Sequence, residues 1–389
     1  MDIYVLDSLF RRIQVIDNHI SFIWTERYNS LGDFEIRVRS TIETRSLLAI
    51  GTYLGLDRTM RVMVVETVER TITDEDGPIL IAKGRSLEAI FTKRVAWADW
   101  TRKPPASGWV YEDAPESIAV FAVRATCRDF PLFPADVIPN LDITEEVGDY
   151  NVAAFQDDIV YATDTAKTVF DVVSEIAKNF DLGFSLTRKE DTGRLWFRMF
   201  NGVDRTTVQD QYPKILFSND FESLESTTQF ASNADEYNVA YVFTPVGNRV
   251  VAPAMVDPDI AGWDRKVLPV YADDITDTDP VVAANKMDVR GRQELLKHQS
   301  VRAFDGQIRK DNPWVYGQDY NMGDMVEMRD EDGFTNRVRV TEQIFSSDRN
   351  GDNAYPTLSV RTLAIPGSWL LWNVGKVWAD LTTEEWSEL

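Results

Sequence analysis

Histidine, cysteine and paired carboxylates are the side chains best suited to catalysis or metal binding, and this chain offers few of them. Its histidines are His19 and His298, and its one cysteine is Cys127. A Ser–His–Asp or Cys–His relay needs a histidine beside a nucleophile and a third group to orient it. His19 follows Asp17-Asn18 in an expected turn and His298 closes a charged helix, so neither is read as catalytic. A lone cysteine builds neither a disulfide framework nor a cysteine-cluster zinc site within one chain, and Cys127 reads as a buried free thiol. The G-x-S-x-G elbow, the H-E-x-x-H helix, the Walker loop and the G-x-G-x-x-G turn are all missing.

Carboxylate pairs are the remaining catalytic option, because glycoside hydrolysis needs two acids on either side of one bond. Glu145-Glu146 and Asp157-Asp158 are adjacent in sequence, and neighbours on a strand point to opposite faces. They read as a solvated acidic surface. Asp348-Arg-Asn350-Gly-Asp352 has the alternating oxygen ligands that open a calcium loop, but Ser359 stands where the closing glutamate belongs. Turn chemistry explains that stretch better. The expectation is therefore a protein that is not an enzyme and uses no cofactor or metal.

The tryptophans carry the sharper signal. Trp97, Trp100 and Trp109 lie in a proline-rich stretch, and Trp369, Leu370, Trp372, Trp378 and Trp386 lie near the C-terminus, outside the strand-rich regions. Large aromatics outside a core point to partner-binding anchors, with sugar stacking and burial within the same chain as the competing readings.

The elements that position these residues are mostly strands. Valine, isoleucine and threonine alternate with charge at 2–6, 12–16, 21–28, 34–39, 53–57, 60–72 and 79–84, as half-buried antiparallel strands require. A short amphipathic helix is expected at 85–94, from Leu87, Ile90 and Phe91. Prolines at 104, 105, 131, 134 and 139 predict long loops and an extended arm over 96–151. Residues 164–180 form the clearest helix, with Gly183 as its stop, and a hairpin follows through Asp191-Thr-Gly193. Strands are expected at 237–244 and 248–252, a helix from Asp279-Pro280 to Leu296, and further strands over 301–363.

Composition sets the outer limits. At 389 residues, with 44% hydrophobic and 11% aromatic side chains, the chain is long enough for two or three globular domains. No apolar run approaches the roughly 18–20 residues of a membrane helix, and the N-terminus lacks the basic region of a signal peptide, so a soluble protein made in a cytoplasm is expected. Asp and Glu number 63 against 41 Lys and Arg, a formal net charge of −22. A field of that sign repels a polyanion, which argues against nucleic-acid binding but suits a surface past which DNA must slide.

One pattern occurs twice. Gly32-Asp33 opens a strand and Asp74-Glu-Asp-Gly77 turns a hairpin, and Gly323-Asp324 with Asp330-Glu-Asp-Gly333 repeats the arrangement. Glycine supplies the positive φ such reversals need. The fold expected is mainly β with α+β insertions: a β module at 1–95, the arm at 96–151, a small α+β domain at 152–214, a second β module with a helix at 215–365, and a Trp-rich tail at 366–389.

Over about residues 1–365 the chain resembles the tail-hub (baseplate hub or minor tail) proteins of long non-contractile-tailed phages, of the type common in phages of actinobacteria. The resemblance rests on Gly32-Asp-Phe-Glu-Ile36, Tyr53-Leu-Gly-Leu-Asp57, Met63-Val-Val-Glu66, Lys83-Gly-Arg-Ser-Leu-Glu-Ala-Ile-Phe91, Arg290-Gly-Arg-Gln-Glu-Leu295 and Gly323-Asp-Met-Val326, in that order. It implies two tail-tube-like β barrels per subunit and a homotrimer whose six barrels cap the tail tube at the virion's tail tip. The implied partners are the distal tail protein, the tape-measure protein and receptor-binding proteins, with genome DNA passing unbound. The alternative is a tail protein that binds or cleaves cell-wall glycan through the arm tryptophans and a carboxylate pair. No spare segment of about 100–150 residues is left for a fused hydrolase domain of ordinary size, which favours the hub.

Overall fold

The N-terminal alternation folds into β1 (Ile3–Leu6), β2 (Arg12–Ile16), β3 (His19–Arg27), β4 (Asp33–Arg39), β5 (Tyr53–Leu56), β6 (Val62–Thr73) and β7 (Gly77–Ser86), with a short helix α1 (Ile42–Leu47) between β4 and β5. The structure is a computed structural model describing residues 1–73, 77–96, 110–143, 159–162, 166–218, 220–221, 223–252, 259–273, 275–276, 278–298, 301–309, 312–329, 333, 335–349 and 351–359. In β4 the period of two is plain: Phe34, Ile36 and Val38 are buried while Glu35, Arg37 and Arg39 face outward. The inward residues join Ile3, Val5, Trp24, Leu54, Leu56, Val65 and Leu80 in one core. Thr41 begins α1 with a capping box, its hydroxyl accepting from the Thr44 amide. Residues 85–94, expected as an amphipathic helix, instead form the 3₁₀ helix Leu87–Lys93. Leu87, Ala89 and Phe91 are all buried, and so short a piece between two strands favours the tighter winding.

The next region contains β8 (Val95–Ala96), β9 (Val110–Asp113), α2 (Pro115–Arg124), β10 (Leu141–Ile143), β11 (Ile159–Ala162), β12 (Lys167–Thr168), α3 (Val169–Asn179), β13 (Gly183–Lys189) and β14 (Arg194–Phe200). Here the expected loop arm needs correction: its described part holds α2, continued by a single π turn, Ala125–Asp129. Pro115 takes the first helical position, where a missing N–H costs nothing, so proline starts this element rather than breaking it. Ile118, Ala119, Ala122 and Val123 then pack with Val172, Val173 and Ile176 of α3, and with Phe184 and Phe197 of the hairpin, in a second core. Thr168 caps α3. The helix stops at Asn179, and the positive φ falls on Asp181 rather than Gly183, which opens β13. Gly193 makes the hairpin turn at φ 66°, as expected.

After β15 (Leu216–Ser218) the chain leaves through β16 (Leu224–Ser232). It then forms β17 (Val239–Thr244), β18 (Gly247–Val251), β19 (Val267–Tyr271) and α4 (Pro280–Lys297), and returns through β20 (Val301–Ile308) to β21 (Met325–Arg329), β22 (Thr335–Asp348) and β23 (Gly351–Ser359). The strands of the two sequence-repeated regions share one sheet, in the order β15-β21-β22-β3-β4-β7-β6-β5-β1-β2, with β23 on the free side of β22. Its fourteen-residue strand β22 holds this sheet together: 335–339 pair with β21, 342–347 pair with β3, and β23 runs along the opposite edge. Among the described residues the strand path ends on β15 and β2 without closing.

By contact density Met1–Thr227 and Asp305–Ser359 form one unit, and Thr228–Phe304 fall in a second. In the second unit β17 lies between antiparallel β18 and parallel β19. Asp279 caps α4 and Pro280 begins it, and Ala283, Met287 and Leu295 pack on Ala240, Val242, Val251 and Val270. Gly291 allows the close approach: a Cβ there would lie 2.8 Å from Val251 Cβ.

Candidate functional site

Among the described residues, His19, His298 and Cys127 each have surroundings of their own. His19 sits in the sheet with Nε2 3.1 Å from Ser347 Oγ and its ring edge-on to Phe22. His298 follows α4, with Nδ1 3.2 Å from Asp235 Oδ2. Cys127 is free and buried in the π turn, and desolvation pushes its thiol up to about 12. Asp348 and Gly351 face each other across the β22–β23 hairpin, and Asp352 pairs with the amino group of Met1. Asn350 between them lies outside the described residues, among which no group of three metal-ligating side chains occurs. Glu145, Glu146, Asp157, Asp158, Trp97, Trp100, Trp109, Trp369, Leu370, Trp372, Trp378 and Trp386 lie outside the described residues.

The structure instead brings together charges that sequence reading missed. Arg61, the residue just before β6, donates from Nη1 to Glu88 Oε1 at 3.1 Å, and its Nε lies 3.8 Å from Glu26 Oε2 on β3. Both carboxylates are 1% exposed. Glu88 also accepts the Leu186 amide at 2.8 Å, and Glu26 accepts from the Tyr316 hydroxyl and the Trp24 indole, each at 3.4 Å. Burial raises the Glu26 carboxyl while Arg61 works against it, and burial also holds the Tyr316 hydroxyl well above its usual range. Two carboxylates around one guanidinium could in principle move protons, but a site closed to solvent admits no substrate. The arrangement fastens β3, β6, the 3₁₀ helix, β13 and the 312–320 loop to one another.

Two further buried pairs do the same work. Arg339 on β22 meets Asp181 Oδ2 at 2.6 Å, and its guanidinium lies over the Tyr28 ring at 5.3 Å. Asp324 takes Arg205 at 2.6 Å and the amides of Val203 and Asn321 at 2.9 Å each. Asp324 belongs to the Gly323-Asp324 turn, where the sequence signalled a reversal but not its partners. Gly202 and Gly323 touch there, and a Cβ on Gly202 would fall 2.0 Å from the Gly323 carbonyl.

The outward side of the sheet carries its charges in pairs. Lys83 and Arg37 hold Glu35 at 2.7 and 2.9 Å, Arg85 grips Glu66 through two bonds of 2.7 Å, and Arg27 bridges Asp33 and Glu342 at 2.6 Å. The bond from Lys83 lowers the Glu35 carboxyl, and that from Arg85 lowers Glu66. In these pairs and bridges each guanidinium or ammonium group is held by a carboxylate. A depression of about 460 Å³ opens on this face between Ser21, Ile23, Arg37, Ser346, Asn353 and Tyr355. At the end of the path β2 leaves Ile13 63% and Val15 40% exposed beside a strand edge that pairs with no other strand among the described residues.

No curated protein matches the chain. A tail protein from Neisseria meningitidis MC58 has a similar structure, with a TM-score of 0.55 at 12% identity over 94% of this chain and 98% of the other. The 43 kDa tail protein of prophage MuSo2 from Shewanella oneidensis gives 0.54 at 13% identity, over 92% and 96%. The prophage tail protein gp18 from Listeria monocytogenes EGD-e gives 0.50 at 12%, over 94% and 96%. Those likenesses show the fold. The family model described as Siphovirus ReqiPepy6 Gp37-like protein matches residues 2–358, and the chain therefore belongs to that family of siphovirus tail proteins.

Proposed function

We propose that this tail protein is the hub subunit of the tail tip, three copies of which form a ring on the end of the tail tube. The observation that carries the reading is the shared sheet, in which β22 joins the strands of residues 1–95 to those of 215–359. In the ring each copy would contribute two tube-like β modules, one from each region, with the α+β residues of 152–214 packed beside them. Exposed Ile13 and Val15 on the β2 edge, unpaired among the described residues, support assembly, since natural proteins cover such edges. The ring would join the distal tail and tape-measure proteins to receptor-binding proteins, with the tryptophans of 97–109 and 369–386 as anchors. Its role is structural rather than catalytic.

DNA passage is compatible with a surface whose cations are held in ion pairs. A channel lined by the outward face would present guanidinium groups already held by carboxylates, which gain little from a phosphate. Electron microscopy of the purified protein tests the assembly: threefold rings with a central opening are expected, and monomers at all concentrations would count against it.

A further inference from the structure

The sheet of the second unit has a face that α4 does not cover. Helix α4 covers the side formed by Ala240, Val242, Val251 and Val270. On the opposite side the register sets Tyr241 between Val250 and Pro269, and Phe243 beside Tyr271. Val250 is 51% and Tyr271 74% exposed, while Phe243 and Tyr271 stack at 5.5 Å. Arg265 lies on this patch, its guanidinium 5.6 Å from the Tyr241 ring centre and its Nη2 3.1 Å from the Tyr241 hydroxyl. A three-stranded sheet whose second face carries Tyr241, Phe243, Val250, Pro269 and Tyr271, with Asn248 and Arg265 as its polar groups, offers an association site, since soluble folds cover both faces or make one polar.

The sequence supplies an occupant. Thirty residues, 360–389, follow the last described strand, and an extended segment of that length reaches roughly 100 Å. Within it Trp369, Leu370, Trp372 and Trp378 concentrate large apolar side chains, and Asp380, Glu384, Glu385 and Glu388 outnumber Arg361 and Lys376. Apolar anchors followed by acids match an apolar face that carries an arginine. We infer that the open face of β17, β18 and β19 is the seat of the Trp-rich C-terminal segment, of the same copy or a neighbouring one. This rests on the proposed anchoring role of the tail tryptophans and names the surface that receives them.

Site-specific photocrosslinking of the full-length protein tests this. Tyr271 is replaced by benzoylphenylalanine, and the products are mapped by mass spectrometry after illumination. Cross-links to peptides from 367–389 are expected, and subunit mass shows whether they lie within one copy or between two. They should be lost in a Trp369→Ser, Trp372→Ser, Trp378→Ser variant whose folded body melts at an unchanged temperature. Cross-links confined to other segments, or none from Tyr271 or from the same probe at Phe243, would overturn the inference. Threefold rings persisting in the triple-serine variant would leave the hub reading intact, so the two can fail separately.

Discussion

Arg339 and Asp181 meet at 2.6 Å inside the first unit, joining the strand that links the two halves of the sheet to the turn that ends α3. Asp181 holds a positive φ of 52°, and its carbonyl accepts the Tyr28 hydroxyl at 2.9 Å. One residue therefore serves a backbone turn, a hydrogen bond and a buried ion pair.

Removing one member of this pair strands the other. Asp181→Ala leaves the Arg339 guanidinium buried beside Tyr28, and the expected loss is about 3–5 kcal/mol of unfolding free energy. Arg339→Met with Asp181→Asn removes both charges and should cost less than Asp181→Ala. Urea denaturation of the two variants checks the order; equal losses would show that the charge itself is not what matters.

The Arg61 junction predicts a pH dependence. Glu26 has a folded-state pKa raised above its ordinary 4.5, so the folded protein holds that proton to higher pH than the unfolded chain. Its contribution to stability then falls as pH rises above 4.5. Arg61 opposes the shift, so Arg61→Met should lose about 3–5 kcal/mol and decline more steeply with pH over a wider window. Adding Glu26→Gln to that variant should flatten the decline. Thermal melts from pH 4.5 to 8 supply the comparison, and parallel slopes for parent and Arg61→Met would refute the account.

Gly84 is a packing requirement. A Cβ at this position on β7 would lie 1.7 Å from the Val64 carbonyl oxygen and 2.9 Å from the Phe34 ring. Gly84→Ala should cost about 1–3 kcal/mol, since a well-packed interior yields little to an added methyl. Gly351→Ala, where no atom lies within 4 Å but φ is 118°, separates backbone strain from crowding. A neutral Gly84→Ala would mean that the β6–β7 register shifts easily.

Cys127 should be nearly inert in the folded protein. With a thiol pKa of about 12 and no exposure, little thiolate forms at pH 8. Labelling by a maleimide is expected to be slow in buffer and fast in urea; equal rates would place the π turn at the surface.

Much of this architecture was written in side-chain alternation. Strand 12–16 was read to the residue, the Asp279-Pro280 start of α4 was read from its cap, and Gly193 from its turn. Helix α2 was missed because proline density was taken as a sign of loops, although Pro115 stands where a helix accepts it. The buried charges were illegible for a different reason. Glu26, Arg61, Glu88 and Arg339 each sit in ordinary strand or helix sequence, and a charge looks the same on an outward face as in a buried pair. Their partners lie 35 residues away for Glu26 and Arg61, and 158 away for Asp181 and Arg339, so no local pattern marks them.

Cryo-electron microscopy of the tail tip of the phage that encodes this chain tests the central claim most directly. The hub account predicts three copies around a central channel, each placing its large sheet in the tube wall with β3 and β22 side by side. A different copy number, a position along the tail shaft, or absence from the tip would contradict it.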